Sequence, residues 1–482
     1  MIMRKKALVF VLLVVVSLGL LSGCNTPGSD PETGTTTNAA DTDVTSSENS
    51  ESESTEESAR PADQSIYQPD LSSVDLPIVY LSDFENAEVS VADLVKDDGE
   101  IELAFSFVSN RDSIESFDCT AKIKVQGATS AKFPKKNFNI KLYTDDTFED
   151  KNKVDFGWGK QNKYCMKANW VDFSQARNVI GGKMFAQVVD SRTNVNPGLV
   201  SAPNNGAVDG FPILVYVNGN FHGIYTMNIP KDEWMFAMDG DETTKQAMLM
   251  ADAWTEPTYL NQEIGEGDFE DHGFELEYCS TEDIDTQWVK DSFNELISLL
   301  NCGDDELIRQ ELPKHLDIEA GIDNMLFTYF IDARDNVAKN ILWVTYDGEV
   351  WIPSMYDMDG TYGISWSGEP ETSHRYPKFA EDGSISAPGC KMYYVLLTVF
   401  ADEVEARYNF LREDILTAEN TKSYFDAFYS QVPMAAYDAD RARWINEPAK
   451  YQPFYYDNLT NYEEAINAQL NRLDSFFEAF ND

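Results

Sequence analysis

Between residues 76 and 227 the apolar side chains come in short runs, at 78–81, 101–107, 121–125, 138–142, 164–168 and 213–217, bounded by turn-forming residues. This pattern predicts β-strands. Asn218-Gly219, followed by Asn220, is a hairpin signal joining 213–217 to 222–227. A single helix is predicted inside this half, over 173–189, with Ser174 as its cap and Ala176, Val179, Ile180, Met184 and Val188 on one face. Residues 231–285 show no sustained period and are rich in Asp and Glu, which reads as an acidic insertion. From 284 onward the spacing turns helical, through Trp288, Phe293, Leu296 and Leu300, then 318–330, and finally Ile466, Leu470, Leu473 and Phe477. A short hairpin at 340–346 and 350–353 is set among these helices, turning at Asp347-Gly348. The expected class is α+β: a β-rich lobe over 73–230, the insertion over 231–285, and a helical lobe over 286–482.

The N-terminus follows other rules. Arg4-Lys5-Lys6 precedes an unbroken apolar run over 7–21 that ends in Leu21-Ser22-Gly23-Cys24. Residues 1–24 thus read as a secretory signal, and the small residues before Cys24 resemble a bacterial lipobox, which implies lipidation of Cys24. Residues 25–72 are mostly Ser, Thr, Glu, Asp, Gly and Pro, too poor in aliphatic side chains to offset the entropy of ordering. They are read as a tether, which places the body outside the cytoplasmic membrane, held to it through the N-terminal lipid alone.

Charge sharpens this picture. The 482 residues carry 83 acidic and 37 basic side chains, a net −46, which argues against nucleic acid as a partner because phosphate backbones are gripped by basic clusters. Residues 71–482 alone hold −39. Within them, Lys122, Lys124, Lys132, Lys135, Lys136 and Lys141 form an island of +6 with no acid between Cys119 and Lys141. It suits either an anion site or a solvated strand face. In the first case Gly127-Ala128-Thr129-Ser130 brings backbone N–H groups toward a phosphate while Lys135 or Lys136 supplies the charge. Five cysteines remain in the body, without metal-type spacing, and are read as buried thiols.

One further constellation carries chemistry. Asp335 lies five residues before Asn340, and Asp357-Met358-Asp359-Gly360 follows the hairpin. Phosphoryl transfer needs an Asp at the attacking hydroxyl, an Asn on a metal and a post-strand Asp on a metal, in that order. The alternative is a pair of structural turns.

Five blocks together resemble the spore-coat protein H (CotH) kinase-like family: Gly127-x-x-Ser130-x-Lys132-Phe133-Pro134-Lys135-Lys136-x-Phe138-x-Ile140-Lys141; Lys167-Ala168-Asn169-Trp170-x-Asp172-x-Ser174-x-x-Arg177-Asn178; Tyr216-Val217-Asn218-Gly219-x-Phe221-x-Gly223-Ile224-Tyr225; Asp335 to Asn340; and Tyr356-Asp357-Met358-Asp359-Gly360-x-Tyr362-Gly363. The resemblance implies a diverged two-lobed protein-kinase-like fold, binding of ATP with Mg2+ or Mn2+, and phosphorylation of a protein substrate or of the chain itself. It implies Asp335 as the catalytic Asp, and Asp357, Asp359 and Asn340 at the metal. Gly127, Ser130, Lys132, Lys135, Lys136 and Lys141 then face the nucleotide. Asn228 stands where many members carry Glu. Members of the family also serve as surface ligands beside polysaccharide-degrading modules, so a non-catalytic adhesion module is the competing expectation.

Overall fold

The computed structural model describes residues 67–480, apart from Asp112, Glu242, Asp283, Thr372 and Pro453. The secretory signal, Cys24 and the tether as far as residue 66 lie outside the described residues. The tether ends earlier than its composition suggests, because the Tyr67 carbonyl already accepts the Phe221 N–H at 3.0 Å and Leu71 is buried.

The strand-like runs form seven strands: β1 (Ile78–Asp83), β2 (Ile101–Val108), β3 (Phe117–Gln126), β4 (Asn137–Tyr143), β5 (Lys163–Lys167), β6 (Gly210–Val217) and β7 (Asn220–Asn228). They close into a barrel in the order β1-β2-β3-β4-β5-β7-β6, in which every pairing is antiparallel except the closing one. There β1 lies parallel to β6, with Ile78 opposite Leu214. Alternation explains the filling, since successive side chains on a strand point to opposite faces. Leu103, Phe105 and Phe107, Ile123 and Val125, and Ile213 and Val215 all enter the barrel core. Leu214, from the other face of β6, joins the larger core beneath the helices.

The helix between β5 and β6 runs over Arg177–Asp190, later than Ser174 predicted, because Asp172 to Ala176 form a turn in which the Asp172 carboxylate accepts the N–H groups of Ser174 and Arg177.

Residues 231–285 are not an irregular insertion. They supply β8 (Ala247–Ala251) and β9 (Phe274–Cys279), which join β10 (Ile341–Thr345) and β11 (Ile352–Met355) in a four-stranded sheet of order β9-β8-β10-β11. Against this sheet packs the helix Ile318–Ile331, mostly apolar and buried at twelve consecutive positions from Ala320 to Ile331, as expected of a helix surrounded by core. Further helices, at Lys391–Val399, Ala401–Asp414, Ala418–Tyr429, Met434–Trp444 and Tyr462–Phe480, complete the helical half. The structure is therefore α+β, β-rich toward the N-terminus and helical toward the C-terminus.

All five described cysteines are free thiols, four of them buried and Cys302 exposed. No helix among the described residues is long and apolar enough to cross a membrane.

Candidate active site

Helix Ile318–Ile331 ends in a left-handed residue, Asp332 (φ 52°), and the chain then makes a tight turn over Asp335–Val337 that presents the Asp335 carboxyl. The second piece is the turn after β11, where Asp357 also adopts φ 51°. A left-handed conformation is uncommon for a residue with a Cβ and persists only where surroundings enforce it.

Those surroundings are specific. Asn336 is buried, and its amide donates to the carbonyls of Asn340 (3.0 Å) and Tyr356 (2.7 Å), stapling the Asp335 turn to the Asp357 turn. Asn178 accepts the Met358 N–H at 3.0 Å. Arg177, fully buried, donates to the carbonyls of Thr361 and Tyr362, to Asp172 at 2.7 Å and to Asn461 at 2.6 Å. One guanidinium thus ties the start of a helix, the end of the Asp-x-Asp-Gly turn and the C-terminal helix together. Replacing Asn336 with Ala is expected to cost about 1–3 kcal/mol, because two buried carbonyls lose a donor, and to slow any reaction that needs both turns in register. Urea denaturation and turnover measured on the same variant check the two effects separately.

The result is a cluster of three part-exposed carboxylates, Asp335, Asp357 and Asp359. Among the described residues none of them accepts a hydrogen bond, and their one ion pair joins Asp357 to Lys167 at 3.7 Å. Burial and the neighbouring Asp357 push Asp359 well above the usual carboxylate range. Burial raises Asp335 as well, with Lys339 opposing and Asp357 reinforcing the shift. For Lys167, burial works against the charge, but Tyr356 and Asp357 more than offset it, so the ammonium is held above an ordinary lysine.

The lysine beside the carboxylates is therefore Lys167, at the end of β5, and none of the lysine island. Lys135 is buried and paired with Asp440 of helix Met434–Trp444 at 2.9 Å. Lys136 donates to the Ala131 carbonyl at 2.8 Å, and burial pushes it down to about 8. Lys141 on β4 meets Glu100, just before β2, at 2.8 Å, and Lys122 meets Glu102 at 3.0 Å across the neighbouring strands β3 and β2. Lys132 is exposed. The island is contiguous in sequence but dispersed in space, since strand alternation and the following turn send its members to different faces.

The turn after β3 lies at the edge of the cluster. Gln126 donates to the Tyr356 hydroxyl at 3.3 Å, and Tyr356 directly precedes Asp357. Gly127 has φ 105°, and a Cβ there would sit 1.9 Å from the Ser130 hydroxyl oxygen, so glycine is required. Its carbonyl accepts from Lys96 at 2.9 Å. The N–H groups of Ala128, Thr129 and Ser130 make no hydrogen bond among the described residues. Two ammonium groups lie near the Tyr356 ring, Lys167 at 5.4 Å and Lys231 at 5.7 Å from its centroid.

Asn340, also left-handed (φ 56°), is anchored through its backbone to Ala251 and Tyr356, and its side chain makes no hydrogen bond among the described residues. Asn228 is buried at the end of β7. The nearest acids in sequence, Asp232 and Glu233, are paired with Lys163.

No group of three or more His, Cys, Asp or Glu among the described residues is drawn together as a ready-made metal cage. Asp357 and Asp359, two residues apart on one turn and without a hydrogen-bond donor among the described residues, nevertheless fit Mg2+ or Mn2+, which take one or two carboxylates and complete their shell with water and phosphate oxygens.

A family model described as CotH kinase protein matches residues 123–478. No curated protein matches the chain.

Proposed function

The chain belongs to the CotH kinase protein family, and from that premise we propose that it is an atypical protein kinase, passing the γ-phosphoryl group of ATP to a protein hydroxyl through a diverged two-lobed kinase-like fold. The observation that carries the reading is the cluster of Asp335, Asp357 and Asp359, held on two stapled turns, short of hydrogen-bond donors and faced by one buried lysine.

Each residue has a distinct task. Asp335 accepts the proton of the attacking hydroxyl, and its raised proton affinity brings it toward the range in which a carboxylate serves as a base. Asp357 and Asp359 would hold Mg2+ or Mn2+, with Asn340 offering an amide oxygen to a second ion. A divalent ion there supplies charge neutralisation to the phosphates and polarises the transferring group. Lys167 places an ammonium beside Asp357, able to meet phosphate oxygens. The free N–H groups of residues 128–130 suit the far end of a polyphosphate. Catalysis here is positioning and electrostatics, as expected when charge spreads over the equatorial oxygens. The lipobox-like N-terminal sequence supports the reading that this activity would lie outside the cytoplasmic membrane, on a lipid-anchored chain.

The test is titration of a fluorescent ATP analogue into the purified chain with and without Mg2+ or Mn2+. Metal-dependent binding is expected, and Asp357→Asn should weaken it by about 10–100-fold or more, the range known for groups that merely orient metal ligands. Binding indifferent to metal and to this substitution sinks the site assignment. An absence of nucleotide binding sinks the kinase reading and leaves the family's surface-binding role.

A further inference from the structure

Lys167 and Asp357 form an unequal pair. The lysine side chain is 8% exposed and the carboxylate 39%. The lysine backbone is held on both sides: Lys167 lies opposite Thr226 of β7, and the next N–H, that of Ala168, donates to the Asn137 side chain at 2.7 Å. Only the side chain is left to move. Its ammonium stands 3.7 Å from Asp357 Oδ1, too far for a hydrogen bond, and it donates no hydrogen bond among the described residues. An enclosed ammonium depends on a counter-charge beside it, because its alternative is a bare charge withdrawn from water. Asp357, open to solvent, has no such dependence.

The other nearby cations do not share this position. Lys231, the second ammonium near Tyr356, is engaged by Glu275 and Glu277. Lys339, Arg375 and Arg334 bear on Asp335, and Arg334 is itself paired with Glu371 at 3.0 Å. At the Asp357–Asp359 turn the leading cation is Lys167.

The two ligands assigned to the site therefore affect Lys167 in opposite ways. A divalent cation taken up by Asp357 and Asp359 alone claims the carboxylate on which Lys167 depends and sets like charges side by side. The phosphates of a nucleotide bring a new counter-charge, toward which Lys167 can turn without being left bare. We infer that Lys167 is a resident counter-ion of the Asp357–Asp359 turn, released when the phosphates of a nucleotide receive its ammonium, so that the site takes up metal and nucleotide together and metal alone weakly. The inference rests on the kinase reading above and deepens it: one lysine couples the two ligands, and by linkage each raises the affinity of the other by the same factor.

The experiment reads binding, not turnover. Mn2+ is titrated into the purified full chain without nucleotide, the free ion being followed by electron paramagnetic resonance, and a fluorescent ATP analogue is titrated with and without saturating Mn2+. In the unaltered chain Mn2+ and the analogue are expected to tighten each other. Lys167→Met should tighten Mn2+ alone by about 5–150-fold, the usual span of a coupling between sites, weaken the analogue, and shrink their mutual effect. Lys167→Gln should act in the same direction, and Lys167→Arg, which keeps the charge, should bind Mn2+ as weakly as the unaltered chain. Lys339→Met removes one charge from the Asp335 side and should leave Mn2+ affinity nearly unchanged. Equal tightening by Lys167→Met and Lys339→Met shows a general effect of charge and overturns the inference. Unchanged Mn2+ affinity in Lys167→Met, with metal-dependent binding of the analogue intact, overturns the counter-ion role and spares the kinase reading. On the unaltered chain, where no variant has to fold, Mn2+ and analogue that bind indifferently to each other overturn the coupling. No binding of the analogue under any condition overturns both.

Discussion

Asp335→Asn is expected to lower phosphoryl transfer by about 10^2–10^4-fold, the usual contribution of a positioned base, while leaving the protein as stable as before or more so. The second half of the expectation follows from electrostatics. Asp335 sits in a part-buried turn with no hydrogen-bond donor to its carboxylate, near Asp357, and its proton affinity is raised by burial first. A carboxylate whose folded pKa is raised is, at neutral pH, worse off in the native state than in the unfolded chain. Removing its charge relieves that cost, so activity and stability should move in opposite directions, as is common where a site is strained for function. The measurement pairs incorporation of labelled phosphate with the thermal midpoint of the same variant. Activity and midpoint falling together would show that Asp335 is a structural turn residue and no base.

The second large effect is on folding. Lys135→Met removes the cationic half of a pair that is almost entirely enclosed, 1% and 2% exposed at its two side chains. Asp440 would keep one donor, the Ile224 N–H at 2.9 Å, but its charge would be buried without a counterion. Breaking such a pair by deleting one member costs about 3–5 kcal/mol. Urea denaturation should register that loss, while nucleotide affinity, measured per folded molecule, stays where it was. A large fall in affinity with little change in stability would return Lys135 to the nucleotide site and contradict the geometry. The double replacement Lys135→Met with Asp440→Leu should recover part of the stability, since the buried charge left by the first change is removed by the second.

Much of this site was readable from sequence, because its acids are local features. Asp335 to Asn340 and Asp357 to Gly360 are short motifs whose spacing survives whatever packs around them, and the hairpin between them is signalled by Asp347-Gly348. Lysines are different. Lys167 acquires its role from Tyr356 and Asp357, about 190 residues later in the chain, and Lys135 loses its supposed role to Asp440, 305 residues away. Charge runs record composition, whereas pairing is decided by the sheet. One signal was available: Lys167 ends a strand whose preceding four residues include three buried ones, and a lysine placed there must find a counter-charge. The segment 231–285 was obscured in another way. Ala247–Ala251 lacks the β-branched and aromatic residues that mark strands, and in Phe274–Cys279 two acids interrupt the apolar positions; the first is a strand because the hairpin β10–β11 offers it an edge, and the second because β8 then offers it the next one.

The parallel closure of the barrel sets the order in which this molecule can come into being. Strand β1 finds one neighbour early, in β2, but its other neighbour, β6, begins 132 residues after β1 starts, and the pair Lys135–Asp440 that seals the barrel's outer wall awaits residue 440. Contacts so distant in sequence form late, because the entropy of closing the intervening loop must be met before they return anything. During synthesis the barrel therefore stands open until β6 and β7 have emerged, and one of its lysines stays without a partner until most of the helical half has followed. The β-rich half is less a domain that folds and waits than a shell completed by the last part of the chain to arrive.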